Sequence, residues 1–119
     1  MASYVSSSFV LVLDETITAG QVASIAPLRA LRVVSARAKG AGNATWTVAK
    51  AIPGGLATTF CEGAISDSFA GWVEGSVTVA QAGVSPSQEI QIVASGGTIT
   101  GVVLECIGNP AASLDVTIA

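Results

Sequence analysis

Turn-forming residues recur along this chain at intervals too short for a long helix: Gly20, Pro27, Gly40-Ala41-Gly42-Asn43, Pro53-Gly54-Gly55, Gly63, Gly71, Gly75, Ser85-Pro86-Ser87 and Asn109-Pro110. Between them apolar residues alternate with a period of two, the spacing of a strand with one face buried. In the last segment Leu114, Val116 and Ile118 fall on one side and Ser113, Asp115 and Thr117 on the other. Strands are predicted over residues 8 to 14, 22 to 26, 30 to 39, 44 to 51, 56 to 62, 69 to 80 with a break at Gly75, 88 to 95, 98 to 107 and 113 to 118. That number suits an all-β, antiparallel β-sandwich. Residues 64 to 68 read either as one helical turn or as loop. No repeat or linker divides the chain, so residues 1 to 119 are expected to form a single β-sandwich domain, with 1 to 8 a candidate extended N-terminal arm.

Two glycine-rich breaks read as hairpins. Gly96-Gly97 separates two strand patterns and supplies two positions that tolerate positive φ, which would turn Leu104 and Cys106 inward and leave Glu105 in solvent. The Gly40 to Asn43 turn is expected to pair 30 to 39 with 44 to 51. Within 30 to 39 neither parity is purely apolar: Leu31 and Val33 share one face, Arg32 and Val34 the other. A β-bulge, or a strand covered on both sides, resolves this. Phe9 to Leu13 is apolar throughout, the mark of a strand buried on both faces. These two segments are the best candidates for surfaces that meet another chain.

Composition narrows the function. The chain of 119 residues contains no histidine, so Ser-His-Asp and Cys-His nucleophiles and H-E-x-x-H zinc sites are ruled out. No enzyme activity is expected. Half the residues are hydrophobic and 11% charged, and the mean hydropathy is +0.66. A soluble monomer must cover itself with polar groups, so the surplus points to a membrane or to assembly. The run Phe9 to Leu13 is far short of the roughly 20 residues that a membrane-spanning helix needs. The start Met1-Ala2-Ser3-Tyr4 lacks the Lys or Arg of a secretory signal, and the product is expected in the cytoplasm of the cell that makes it. Assembly with other chains is the better account of the apolar surplus.

Charge is segregated along the sequence. All five cations, Arg29, Arg32, Arg37, Lys39 and Lys50, lie in a stretch without acids, and all eight acids lie outside it. Folded as one hairpin, the stretch makes a basic pole that orients an acidic partner or a neighbouring copy; the alternative is that these cations pair with acids on adjoining strands of the same chain. Nucleic acid is disfavoured by the net charge of −3 and by the lack of interleaved aromatics. Asp14-Glu15 are adjacent and so point to opposite faces of a strand, which suits a strand end rather than a carboxylate pair. No calcium-loop spacing occurs, and neither metal nor cofactor is expected. Cys61 and Cys106 lack Cys-x-x-Cys spacing and read as two buried thiols, with a disulfide between neighbouring strands the alternative. Trp46 and Trp72 read as core or interface side chains, with sugar stacking the alternative. Asn43-Ala44-Thr45 is a short match to a glycosylation sequon.

Taken together, the apolar first strand, Ala26-Pro27-Leu28-Arg29-Ala30-Leu31-Arg32-Val33-Val34-Ser35-Ala36, the Gly/Ala/Asn turn, Thr45-Trp46-Thr47-Val48, the Gly-rich middle and the closing strands resemble the small jelly-roll decoration, or cement, proteins of tailed bacteriophage heads. The resemblance spans nearly the whole chain and lies in strand order and composition. It implies a jelly-roll sandwich of about eight strands and a non-enzymatic protein on the outer surface of the capsid. It also implies two partners, the major capsid protein and the chain itself as a dimer or trimer. The expected contact residues are Tyr4, Phe9, Arg29, Arg32, Arg37, Lys39 and Lys50. The runner-up readings are a carbohydrate- or receptor-binding module of a phage fibre, which needs Trp46 and Trp72 exposed together, and a tail or neck subunit.

Overall fold

A computed structural model describes residues 7–27, 29–66, 71–108 and 115–119. Among them the chain forms strands β1 (Ser7–Leu13), β2 (Ile17–Thr18), β3 (Val22–Ala26), β4 (Leu31–Ala41), β5 (Ala44–Ala51), β6 (Thr58–Ile65), β7 (Val73–Glu74) and β8 (Ser76–Val77). A single 3-10 turn (Val79–Gln81), then β9 (Gly83–Val84), β10 (Glu89–Ser95), β11 (Thr98–Gly108) and β12 (Asp115–Ile118) complete the order. The protein is all-β, and every strand pairing is antiparallel. Alternation placed most strands to within two or three residues. The difference lies in residues 69 to 80, which were expected as one broken strand. There β7 and β8 have two residues each and a 3-10 turn follows, because Gly75 breaks the run.

Two sheets result. The first has the order β1-β11-β4-β7, with β2 also on β11 and β9 also on β4; the second has the order β12-β3-β10-β5-β6-β8. Their facing sides bury one apolar cluster that includes Leu31, Val33, Val48, Ile90, Ile92, Val102 and Leu104.

Both expected hairpins are absent. β4 lies in the first sheet and pairs with β11, whereas β5 lies in the second and pairs with β10 and β6. Ala41 pairs with Thr98 on one side of the break and Thr45 with Ser95 on the other. Residues 31–51 and 89–108 therefore form one long antiparallel ribbon that bends from sheet to sheet at Gly42-Asn43 and Gly96-Gly97. The outer strand follows the same bend: β2 pairs with β11, β3 with β10, and Gly20 lies between them. Gly20, Gly42 and Gly96 all have positive φ, at 91°, 77° and 81°, a conformation that other residues adopt only under strain. Strands that change sheet through such bends make the corners of packed sheets. The bends also crowd together, since a Cβ on Gly97 would lie 2.9 Å from that of Ala44.

The mixed parity of residues 30 to 39 is resolved by a bulge. Cys106 pairs with Val33 and Glu105 with Ser35, which leaves Val34 without a partner. The inward set then changes from Leu31 and Val33 to Ala36 and Ala38, all buried. A second register shift on β11 takes it from Ile99 to Val102, Leu104 and Cys106, again all buried. Glu105 remains partly exposed, as expected.

Candidate functional site

With β4 and β5 in different sheets, the five cations do not share one hairpin. Arg37 and Lys39 alternate with buried Ala36 and Ala38 and so stand on the outer face of the first sheet. Lys50 belongs to the second sheet and reaches across to the first, where its Nζ donates to the carbonyl of Gly83 at 2.8 Å. Arg32 reaches the same segment, and its Nη1 donates to the carbonyl of Val79. These two cations hold the 79–83 segment in place by charge-assisted hydrogen bonds to backbone carbonyls. Arg29 is exposed just ahead of β4. The basic pole expected from the sequence is thus divided between a structural clamp and an outer face.

On that outer face Arg37 meets acids brought alongside by pairing. Arg37 lies opposite Val103 of β11 and Glu74 of β7, and its Nη1 is 3.6 Å from Oε1 of Glu105. Same-chain pairing therefore holds for Arg37. Lys39 places its Nζ 5.0 Å from the centre of the Trp72 ring, a cation–π distance. Gly101 makes room for both, since a Cβ there would come within 3.1 Å of each side chain. Register carries the row Val12, Val103, Arg37, Glu74 across four strands. At its β1 end Val10 and Val12 are 53% and 66% exposed. The sequence left Phe9 to Leu13 as a run covered on both sides; in the fold Phe9 and Leu11 pack against the core, and only the outer side of β1 is open. Phe9, expected as a contact residue, lies on the core side. Tyr4, and residues 1 to 6 of the expected arm, lie outside the described residues; Ser7 and Ser8 are already strand, paired with Gly108 and Ile107.

The two tryptophans separate. Trp72 is 41% exposed while Trp46 is 1% exposed in the core, so the two do not form an exposed pair for a sugar. Trp46 is accommodated by glycines: a Cβ on Gly63 would lie 2.4 Å from its ring, and one on Gly75 2.7 Å. Its Nε1 is buried without a hydrogen-bond partner among the described residues. Neither glycine could be assigned this role from the sequence, because the contacts join β5, β6 and the β7–β8 break.

Cys61 and Cys106 are both buried and free, on β6 and β11 in different sheets. Burial pushes the Cys106 thiol up to about 12; burial, with help from neighbouring Glu62, pushes the Cys61 thiol up to about 11. Both stay protonated at neutral pH and behave as small apolar side chains. Asp14 and Glu15 are exposed just past the end of β1. Among the described residues no three His, Cys, Asp or Glu side chains converge as metal ligands, and no helix is long and apolar enough to cross a membrane.

An apolar cavity of about 200 Å³ lies between the sheets on the side of β1, lined by Leu11, Leu13, Ile25, Ile92, Val102 and Leu104 among others. It offers no group for acid–base or nucleophilic chemistry. Compared with protein-family models, curated proteins and solved structures, the chain matches none.

Proposed function

We propose that this chain is a non-enzymatic structural protein that binds the outer surface of a bacteriophage capsid and stabilises the shell. The observation that carries the reading is the outer face of the first sheet, where exposed Val10, Val12 and Trp72 stand with Arg37 and Lys39. A face that mixes apolar, aromatic and Arg side chains has the character of a protein interface. The strand orders β1-β11-β4-β7 and β3-β10-β5-β6, made by one ribbon folded over on itself, support the jelly-roll reading of the fold. A protein of this kind acts by binding the completed lattice better than the incomplete one. Each bound copy stabilises the shell by mass action, and a copy that bridges neighbouring subunits gains from a high local concentration.

Copy number in purified virions, measured by mass spectrometry against the major shell protein, is the direct test. A ratio near that of the shell protein supports the reading; a handful of copies moves it to tail, neck or fibre, and absence from the virion overturns it. The charge reversals Arg37→Glu and Lys39→Glu should lower shell occupancy while the isolated protein keeps its fold. Unchanged occupancy removes this face from the contact.

A further inference from the structure

We propose that β1 is a dimerisation edge, along which the strand pairs antiparallel with β1 of a second copy about a two-fold axis at Val10. The inference deepens the self-association expected of a shell protein, yet it rests on the strand itself and is tested away from any shell.

β1 ends the first sheet: among the described residues it pairs with β11 and with nothing on its other side. A free edge presents unpaired N–H and C=O groups, and proteins ordinarily blunt it with charge, proline, a bulge or short length. β1 has none of these. It is seven residues long, Ser-Ser-Phe-Val-Leu-Val-Leu, and its register with β11 runs unbroken from Ser7–Gly108 to Leu13–Val102. The other ends of the sheets differ. β7, β8 and β9 have two residues each, and β12 has four and begins with Asp115.

The occupant is a second copy because the strand is complementary to itself. With Val10 on the axis, Val10 faces Val10, Ser8 faces Val12, Phe9 faces Leu11 and Ser7 faces Leu13. Core-side Phe9 and Leu11 then meet each other, and the outer row Ser8, Val10, Val12 meets its own reverse. A slip of one residue in the pairing would place core-side residues opposite outer ones, so the pattern restricts the register. No charge lies between Ser7 and Leu13, so no like charges oppose each other across the axis. Pairing also covers part of Val10 and Val12 and extends the first sheet beside the apolar cavity under Leu11 and Leu13. A two-fold contact uses each edge once and closes.

The test is sedimentation of the full chain over a dilution series, without capsid. The wild type should show a reversible monomer–dimer equilibrium. The double variant Val10→Lys with Val12→Lys places four ammonium groups at one edge contact and should weaken it by at least roughly a hundredfold. Val10→Cys should form a disulfide-linked dimer under mild oxidation near pH 8, since antiparallel partners stand within disulfide reach. The native thiols are buried and stay protonated there. If the lysine variant fails to fold, the Val10→Cys crosslink decides alone. A wild type monomeric at every concentration overturns the proposal; so does a dimer that survives both lysines, or one in which Val10→Cys does not crosslink. None of these outcomes bears on shell occupancy, which would stand or fall by the virion measurement.

Discussion

The first sheet has two margins built in opposite ways. At one, β1 is long, uncharged and straight in register, and its outer side chains Val10 and Val12 are open. At the other, β7 and β9 contribute two residues apiece. Between them the chain leaves for the second sheet at β8 and returns through a 3-10 turn. That margin is pinned by side chains: Arg32 and Lys50 on the carbonyls of Val79 and Gly83, and Trp46 against Gly63 and Gly75. The backbone joins in, with Val33 N–H donating to the carbonyl of Ala82 at 3.0 Å. At the broken margin the carbonyls of Val79, Ala82 and Gly83 are taken up by groups of the same chain, whereas among the described residues no strand lies along the outer edge of β1. One sheet thus carries an edge held by its own chain and, among the described residues, an open one, and the proposed dimer rests on that asymmetry.

The largest effect expected from breaking the protected margin is at Trp46. Trp46→Ala should cost about 3–5 kcal/mol in chemical denaturation, the range for large aromatic truncations in a core. Gly63→Ala puts a methyl where the ring already lies 2.4 Å away, and a loss of about 1–3 kcal/mol is expected from overpacking.

Alkaline titration separates the buried thiols from both margins. Unfolded thiols ionise near 9.0, the ordinary value, whereas the folded ones are held up at about 11 and 12. Between these limits the unfolded chain releases protons that the folded chain keeps. The thiol contribution is therefore complete below pH 9 and is lost as the pH rises toward 11 and 12. A Cys61→Ala, Cys106→Ala variant should show a shallower fall in stability over that window.

Arg32→Ala and Lys50→Ala each remove a partly exposed hydrogen bond to a carbonyl, and a loss of about 1 kcal/mol apiece is expected. The fall should be accompanied by faster amide hydrogen exchange in residues 79–84 and unchanged exchange in β1. Smallest of all, Val12→Lys should change monomer stability by no more than about 0.5 kcal/mol, since its side chain already faces water. A large loss there would show that β1 is held by more than its ladder with β11 and would erase the contrast between the margins.

The corners show what is legible in local sequence. Gly96-Gly97 between two strand patterns satisfies the requirement of a hairpin for positive φ, but it satisfies equally a ribbon bending from one sheet to the other. The choice depends on whether residue 95 pairs toward β11 or toward β5, and that pairing is with residues some fifty positions away. The same ambiguity hid the division of the cations. Their clustering in sequence was real, but Lys50 and Arg37 finish in different sheets, and Glu74 and Glu105 arrive beside Arg37 from β7 and β11.

What the sequence determined by itself is local: where strands lie, because alternation must put one face inward; that β4 must either bulge or be covered on both sides, because neither of its parities is purely apolar; that the cysteines can serve as buried apolar side chains; and that histidine chemistry is excluded, because the residue is absent. Partnership was decided only by the tertiary structure. Which strands share a sheet, which side of β1 meets the core, which glycines admit Trp46 and which acid faces Arg37 all follow from pairings between distant segments. Their energies depend on the whole set of contacts closing at once, and so no local pattern encodes them.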